Sequence, residues 1–535
     1  MKRLFLLASL CLSLSVLSAQ ALLEKVLANE INLGFSDGVR YEDGSWIFSA
    51  VAYSITPGDS AMSLVVKTDS SFRPLWAKRY QYLRRDDFSC ITRLKDGNVL
   101  VGGTMRQSFS NQNGGSVYKL DTAGNVIWHK LYDESFDDRV LDIFEQADSS
   151  LMIFIRKGVN NQPTKIIHAS QTGDIISQRE YTFNNTFGLL ANTVVRDDSA
   201  RYYFSGNVFS QGTTELYICA VDESNLLWYK RFRFDDDRGA SNFVSAYDPS
   251  DQTIIYGGPI ADSVGIFVNI WLAKIDLAGD LVWAKEYGGD LGFTENISSI
   301  KPQPNGEIMI FGSAFDDQGS EAFAAKLDAS GEILWLRGYN PSSPTLGVAE
   351  AFALPDDRML INANSGDSVY LMVVAPDGEA ACNNTSLSFN TAVLSPVDSV
   401  YPLTVDNPGV VEASPPLRIY DVSISDSLLC QRSVSIDALP TLGLQVYPNP
   451  TEAHLTVILP SKLEAEFDWE IVDILGKRLR PSATIETGQM RVDVSALSPG
   501  MYWLSYCRTK RCRKSPSSVR NSSQYIPGLK AETST

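Results

Sequence analysis

The chain has 535 residues and a formal net charge of -17, with 46 Lys plus Arg against 63 Asp plus Glu. That length exceeds one ordinary compact domain, and the acidic balance excludes the basic face that a nucleic-acid partner requires. The histidines number three, His129, His168 and His454, so a three-histidine zinc site is excluded and a histidine-dependent triad has few candidates.

Residues 1–21 read as a signal peptide: Lys2 and Arg3, then LFLLASLCLSLSVL, then Ser18-Ala19-Gln20-Ala21. The apolar run is too short for a permanent span, and no later stretch is long and apolar enough to cross a membrane. Cys11 follows Leu10, where a lipobox wants a small residue, which disfavours lipidation. Export implies an oxidising compartment for the cysteines that remain.

From about residue 30 to 390 the chain repeats itself. KLDTAGNVIW (Lys119 to Trp128), KIDLAGDLVW (Lys274 to Trp283) and KLDASGEILW (Lys326 to Trp335) share Asp, Gly and Trp at fixed offsets: Asp121, Gly124, Trp128; Asp276, Gly279, Trp283; Asp328, Gly331, Trp335. Weaker copies end at Trp76, Ser177, Trp228 and Ala381, giving seven in all. A second mark keeps the same period, an acidic or glycine turn before an apolar strand, as at Asp43-Gly44, Asp96-Gly97 and Asn305-Gly306. Each unit holds four short β-rich runs separated by turn residues. The aspartate caps its turn, the glycine supplies positive φ, and the tryptophan fills the wedge between neighbouring sheets. Seven units of four strands predict an all-β, seven-bladed β-propeller.

Residues 391–439 read as a proline-rich linker, and 440–514 as a small C-terminal β-sandwich built from LGLQVYPNPTEAHLTVILP, WEIVDILGKRLR and GQMRVDVSALSPGMYWLSY. Residues 515–535 form a polar tail, expected to be disordered. Two disulfide pairings suggest themselves, Cys382 with Cys430 and Cys507 with Cys512, while Cys90 and Cys219 sit in strand-like runs and read as buried thiols.

Tyr447, Pro448, Asn449 and Pro450, then Asp473-Ile474-Leu475-Gly476-Lys477, then Leu497-Ser498-Pro499-Gly500-Met501-Tyr502 carry a specific resemblance. The segment resembles the type A C-terminal sorting domain of the type IX secretion system of Gram-negative bacteria. The resemblance implies passage through the outer membrane by that machinery, and release or attachment at the cell surface. Family members stop soon after a short basic last strand, whereas this chain passes CRTKRCRK and continues to Thr535. The competing reading of the region is an immunoglobulin-like adhesive module.

Chemistry is sparsely marked. Acidic pairs and one run, Asp86-Asp87, Asp137-Asp138, Asp197-Asp198, Asp235-Asp236-Asp237, Asp316-Asp317 and Asp356-Asp357, recur, several of them on equivalent loops, where converging carboxylates would bind calcium or act as glycosidase acid and base. Solvated turns use aspartate for the same positions. The Asp-x-x-Gly-x-x-x-Trp step also resembles the tryptophan-docking motif of quinoprotein dehydrogenases, but the adjacent cysteine pair of those enzymes is missing. Asp-Ser and Asp-Thr triplets, as at Asp262-Ser263-Val264, look like a bacterial O-glycosylation sequon. The expectation is an exported propeller, more a binding protein for a glycan or protein than an enzyme, with no cofactor predicted and calcium the one candidate metal. The alternatives are a carboxylate-based polysaccharide hydrolase or lyase and a quinoprotein-like oxidoreductase.

Overall fold

The computed structural model describes most of residues 21–433 and, further on, the strands between 445 and 529; residues 1–20 and the remaining loop positions lie outside the described residues. Two compact units result, one spanning Ala21–Ser433 and the other containing Val434–Thr535.

In the first unit, seven five-stranded antiparallel sheets follow one another. Blades one to six each take four consecutive strands, beginning with Asn32–Arg40, Trp46–Tyr53, Met62–Thr68 and Pro74–Gln81 in blade one. Blade seven takes Gly347–Ala353, Met359–Ser365 and Ser368–Val374, and its fourth strand is Ala21–Ala28 from the beginning of the chain. That strand pairs Glu24 with Met372 and Ala28 with Ser368, so the first and last repeats close the ring within one sheet. Leu22 and Leu27 are buried at 1% and 0% exposure, which anchors the closing strand in the core.

The fifth strands of the blades come from residues 384–433, most of them in the stretch expected as a linker, and here the sequence reading needs correction. Asn384–Thr385 pairs with blade six, Asn390–Val393 with blade five, Pro396–Ser399 with blade four and Leu403–Asp406 with blade three. Glu412–Ala413 then pairs with blade two, Arg418–Asp421 with blade one and Ser425–Ser433 with blade seven. The chain thus runs backwards around the propeller as a belt, satisfying part of each outer strand edge that would otherwise be left open. Most of its contacts are two to four residues long, too short to display the alternation by which strands are read.

Between blades the core consists of facing apolar side chains, for example Phe232, Tyr256, Trp271 and Ile275 between blades four and five, and Phe311, Tyr339, Ile361 and Met372 between blades six and seven.

The second unit has two four-stranded sheets. One is ordered Gln445–Tyr447, His454–Ile458, Gln489–Asp493, Ala483–Glu486; the other Arg478–Leu479, Phe467–Asp473, Gly500–Arg508, Ser522–Leu529. The tail is therefore not wholly without structure, because Ser522–Leu529 lies along the edge of Gly500–Arg508. The polar opening Ser522-Ser523-Gln524, together with Pro527 and Gly528, hid this strand from a reading based on composition.

Candidate functional site

The repeated residues assemble at the junctions between blades. Each turn aspartate caps its loop with one oxygen: Asp276 Oδ1 accepts from the amides of Ala278 and Asp280 at 2.9 and 2.8 Å, and Asp328 Oδ1 from Ser330 and Glu332, both at 2.9 Å. Asp121 does the same for Ala123 and Asn125. The following glycine, with φ of 84° at Gly331, leaves room for the ring of the preceding blade. A Cβ at Gly331 would lie 3.2 Å from Trp283 Cη2 and 2.9 Å from the Tyr287 hydroxyl. Indole N–H groups reach the same turns, Trp128 to Gln171 O at 3.1 Å, Trp228 to Leu277 O at 3.0 Å and Trp283 to Ala329 O at 3.0 Å. Trp76 packs over Gly124, and Trp335 over Gly378.

Two further residues complete this clasp and were not singled out from the sequence. Four residues after the tryptophan, a buried tyrosine donates to the glycine carbonyl of the next blade: Tyr80 to Gly124 at 2.7 Å, Tyr132 to Gly173 at 2.6 Å, Tyr287 to Gly331 at 2.8 Å and Tyr339 to Gly378 at 2.7 Å. Between them a lysine reaches the residue after the glycine, as Lys130 reaches Asp174 at 3.0 Å and Lys230 reaches Asp280 at 2.8 Å. The signal Trp-x-Lys-x-Tyr was present in the repeats as WHKLY and WAKEY.

Near the propeller axis, three carboxylates from separate blades interact. Asp37, Asp142 and Glu350 occupy one register position of the innermost strand, just after a bulge, in blades one, three and seven. Blade two places Cys90 there, and blades four and six place Thr193 and Ser299. Asp37 Oδ2 accepts the Ile91 amide of the neighbouring blade at 3.0 Å, and its Oδ1 accepts the Gly38 amide at 2.7 Å. Asp142 Oδ1 accepts the Ile143 amide at 2.7 Å. Glu350 accepts from Ala351 N at 2.9 Å, from Lys301 Nζ at 3.0 Å and from the Ser299 hydroxyl.

Asp37 and Asp142 keep intermediate surface exposure although protein encloses them closely. Burial, reinforced by the Glu350 charge, pushes Asp37 up to about 7. Burial, with the charges of Asp37 and then Glu350, pushes Asp142 up to about 8. The Cys90 thiol is raised too, by burial and then by Asp142 and Asp37. A carboxylic acid that keeps its proton near neutral pH is one chemical capability of this cluster. Its signal in the sequence was an acidic residue inside an apolar strand, six positions ahead of the turn residues Asp43, Asp148 and Asp356.

The acidic pairs chosen from the sequence do something else. Asp197 caps its own turn, accepting Ser199 N and Arg201 N, each at 2.9 Å, and the Tyr203 hydroxyl at 3.0 Å, while Asp198 accepts from Tyr247 at 3.0 Å. Asp356 pairs with Arg358 at 2.6 Å. Asp197 and Asp356 are thus engaged within their own turns, and Asp198 by a tyrosine of the next blade. Asp137, Asp317 and the run Asp235 to Asp237 lie outside the described residues.

Cys382 and Cys430 form a disulfide, whereas Cys90 and Cys219 are buried thiols. The other proposed pairing involves Cys512, which lies outside the described residues. His129 stacks on Tyr118 with ring centroids 4.1 Å apart. Glu24, Cys382 and Cys430 are the one group of potential metal ligands that converges among the described residues, and the disulfide engages both sulfurs. Of the sorting-motif residues, Tyr447 ends its strand and Asp473 lies opposite Tyr502 in the ladder that begins at Gly500. Pro448, Asn449, Pro450, Gly476 and Lys477 lie outside the described residues.

Residues 445–514 match the family model of the secretion system C-terminal sorting domain. The protein is thus a seven-bladed β-propeller carrying a type IX sorting domain, secreted or attached to the outer cell surface. No helix among the described residues is long and apolar enough to cross a membrane. No curated protein matches the chain. Among solved structures, it is similar to a PL25 ulvan lyase at 9% identity and a TM-score of 0.47, covering 67% of this chain and 97% of that one. It is also similar to the GH93 α-L-arabinofuranosidase of Fusarium graminearum, at 13% identity and a TM-score of 0.35, covering 64% and 93%. Neither likeness carries an inference about ligand or chemistry.

Proposed function

We propose that this protein is a surface-displayed binding protein whose propeller holds a glycan or protein ligand, without turning it over. The observation that supports this most is how the axial carboxyls are engaged. Asp37 and Asp142 accept inner-strand amides, and Glu350 accepts an amide together with Ser299 and Lys301, so all three are bound into the frame of the ring. An acid and base for hydrolysis must instead face the scissile bond. The type IX machinery is the partner implied by the sorting domain, and a propeller delivered by it offers loops at both ends of its axis to ligands outside the cell.

A second reading, a carboxylate-based polysaccharide hydrolase or lyase, is favoured by one observation, the elevation of Asp142 to about 8. One experiment separates the two. The mature protein is titrated against an array of polysaccharides and outer-surface proteins, and each bound polysaccharide is assayed for new reducing ends. Saturable binding with no product supports the binding reading. Product formation that Asp142→Asn abolishes while binding persists would establish the enzyme.

A further inference from the structure

Six large apolar side chains are exposed at one repeated position. Leu75, Ile127, Ile176, Leu227, Val282 and Leu334 lie between 42% and 58% exposed, one in each of blades one to six. Each immediately precedes the clasp tryptophan, or Ser177 in blade three, and each is the extra residue of a β-bulge in the fourth strand. Ile127, for example, falls between the pairs Leu120 with Val126 and Lys119 with Trp128. The belt stops short of this position. In blade two it pairs with Leu131 and Tyr132, and in blade six with Gly338 and Tyr339, so residues 126–130 and 333–337 have no strand on their outer side among the described residues. Blade seven shows the same place covered. It pairs Met359 with Val374 as blade one pairs Trp46 with Thr68. Glu24, opposite Met372, therefore matches Ala77, opposite Val66, and Leu22 is the counterpart of Leu75. There the fifth strand, Ser425–Ser433, runs the full length of Ala21–Ala28, with Arg432 opposite Leu22, and Leu22 is buried.

We infer that the uncovered half-edges of blades one to six are docking sites for an extended segment of a partner polypeptide, added antiparallel as the belt is. An unpaired strand edge presents N–H and C=O groups to an incoming strand, and the aliphatic bulge residue gives that strand an apolar contact to bury. Each site is continuous with the belt interface and begins where the belt strand stops, and blade seven supplies the example of an occupant. Equivalent sites around one ring suit a partner with repeated segments, since attachment at one raises the effective concentration at the next. This inference rests on the binding reading above, with a protein as the ligand.

The probe is a fluorescein-labelled peptide with the sequence of Ser425–Ser433 carrying Cys430→Ser, added to the mature protein. The Cys382–Cys430 disulfide keeps the native strand on blade seven, so the peptide reports on the other blades. Its fluorescence anisotropy should rise saturably. Replacing all six aliphatic residues by serine should weaken binding about tenfold through the lost apolar contact. Methylating alternate amides of the peptide should weaken it similarly, because strand addition uses those donors. If the sixfold variant fails to fold, Ile127→Ser combined with Leu334→Ser should lower the number of peptides bound. Absence of saturable binding, or binding unchanged in a folded variant or with the methylated peptide, would overturn the inference. Polysaccharide binding without peptide binding would leave the binding reading standing and remove this one.

Discussion

Cys382 follows the third strand of blade seven and its turn, Cys430 lies on that blade's fifth strand, and the bond between them spans a sequence separation of 48. The intervening chain passes the outer edges of blades six, five, four, three, two and one in turn. The disulfide therefore fastens the end of the belt to its start. Lys25 and Asp426, at 2.8 Å, and Glu24 Oε1, which accepts the Cys382 amide at 2.8 Å, hold the N-terminal closing strand to the same place.

Closing a loop of this length lowers the entropy of the unfolded chain by an amount worth about 4 kcal/mol. Cys382→Ser should lower stability by a few kcal/mol in denaturant titration and render the belt sensitive to limited proteolysis. Reduction of wild type should reproduce the effect, and should do nothing further to the variant.

The clasps make graded predictions. Tyr287→Phe removes one buried hydrogen bond to Gly331 and should cost about 1 kcal/mol; blade four already carries Phe232 at that position. Trp283→Ala should cost more, about 2–3 kcal/mol, since the ring is half-buried and its loss opens a gap between blades. Gly378→Ala combines a φ of 81° with a Cβ placed 2.5 Å from Trp335 Cζ3, and should destabilise by about 1–3 kcal/mol. Thermal unfolding of the three variants should preserve the order in which Tyr287→Phe is mildest.

The axial acids predict the pH profile. Unfolded, Asp37 and Asp142 titrate near 3.8; folded, they are raised to about 7 and about 8. Their contribution is thus complete below about pH 4, declines above it, and is lost once pH has passed the folded values. Asp43 and Asp148 act oppositely, being held low by hydrogen bonds from Ser45 and Ser150, so their contribution disappears only in acid. Between pH 5 and 8.5 the raised pair should dominate. Stability should fall across that window, and Asp142→Asn should flatten the decline. Urea unfolding at several pH values measures both.

The repeat made the blades legible before any coordinates, because Asp276, Gly279 and Trp283 each answer a local demand of turn or wedge that shows in the residue type. The belt was not legible. A strand such as Glu412–Ala413 is defined by the edge it meets in blade two, and that edge lies about 280 residues earlier in the chain. The axial cluster fell between these cases. Asp37, Asp142 and Glu350 come together only when a ring closes, and the more conspicuous pairs such as Asp356-Asp357 drew attention to turns instead. Ser177 was noticed as a weak copy of the tryptophan position, yet only the structure shows that the matching turn of blade four, Asp222 to Asn225, has lost its glycine as well.

The most direct measurement is the intact mass of the protein recovered from the cell surface or medium. A belt that belongs to the propeller and a sorting domain that serves export together predict a mature species beginning near Gln20 to Leu22, retaining Ser433, and lacking residues 445–514. A surface form cut before Cys430, or a full-length form confined to the periplasm, would contradict the account.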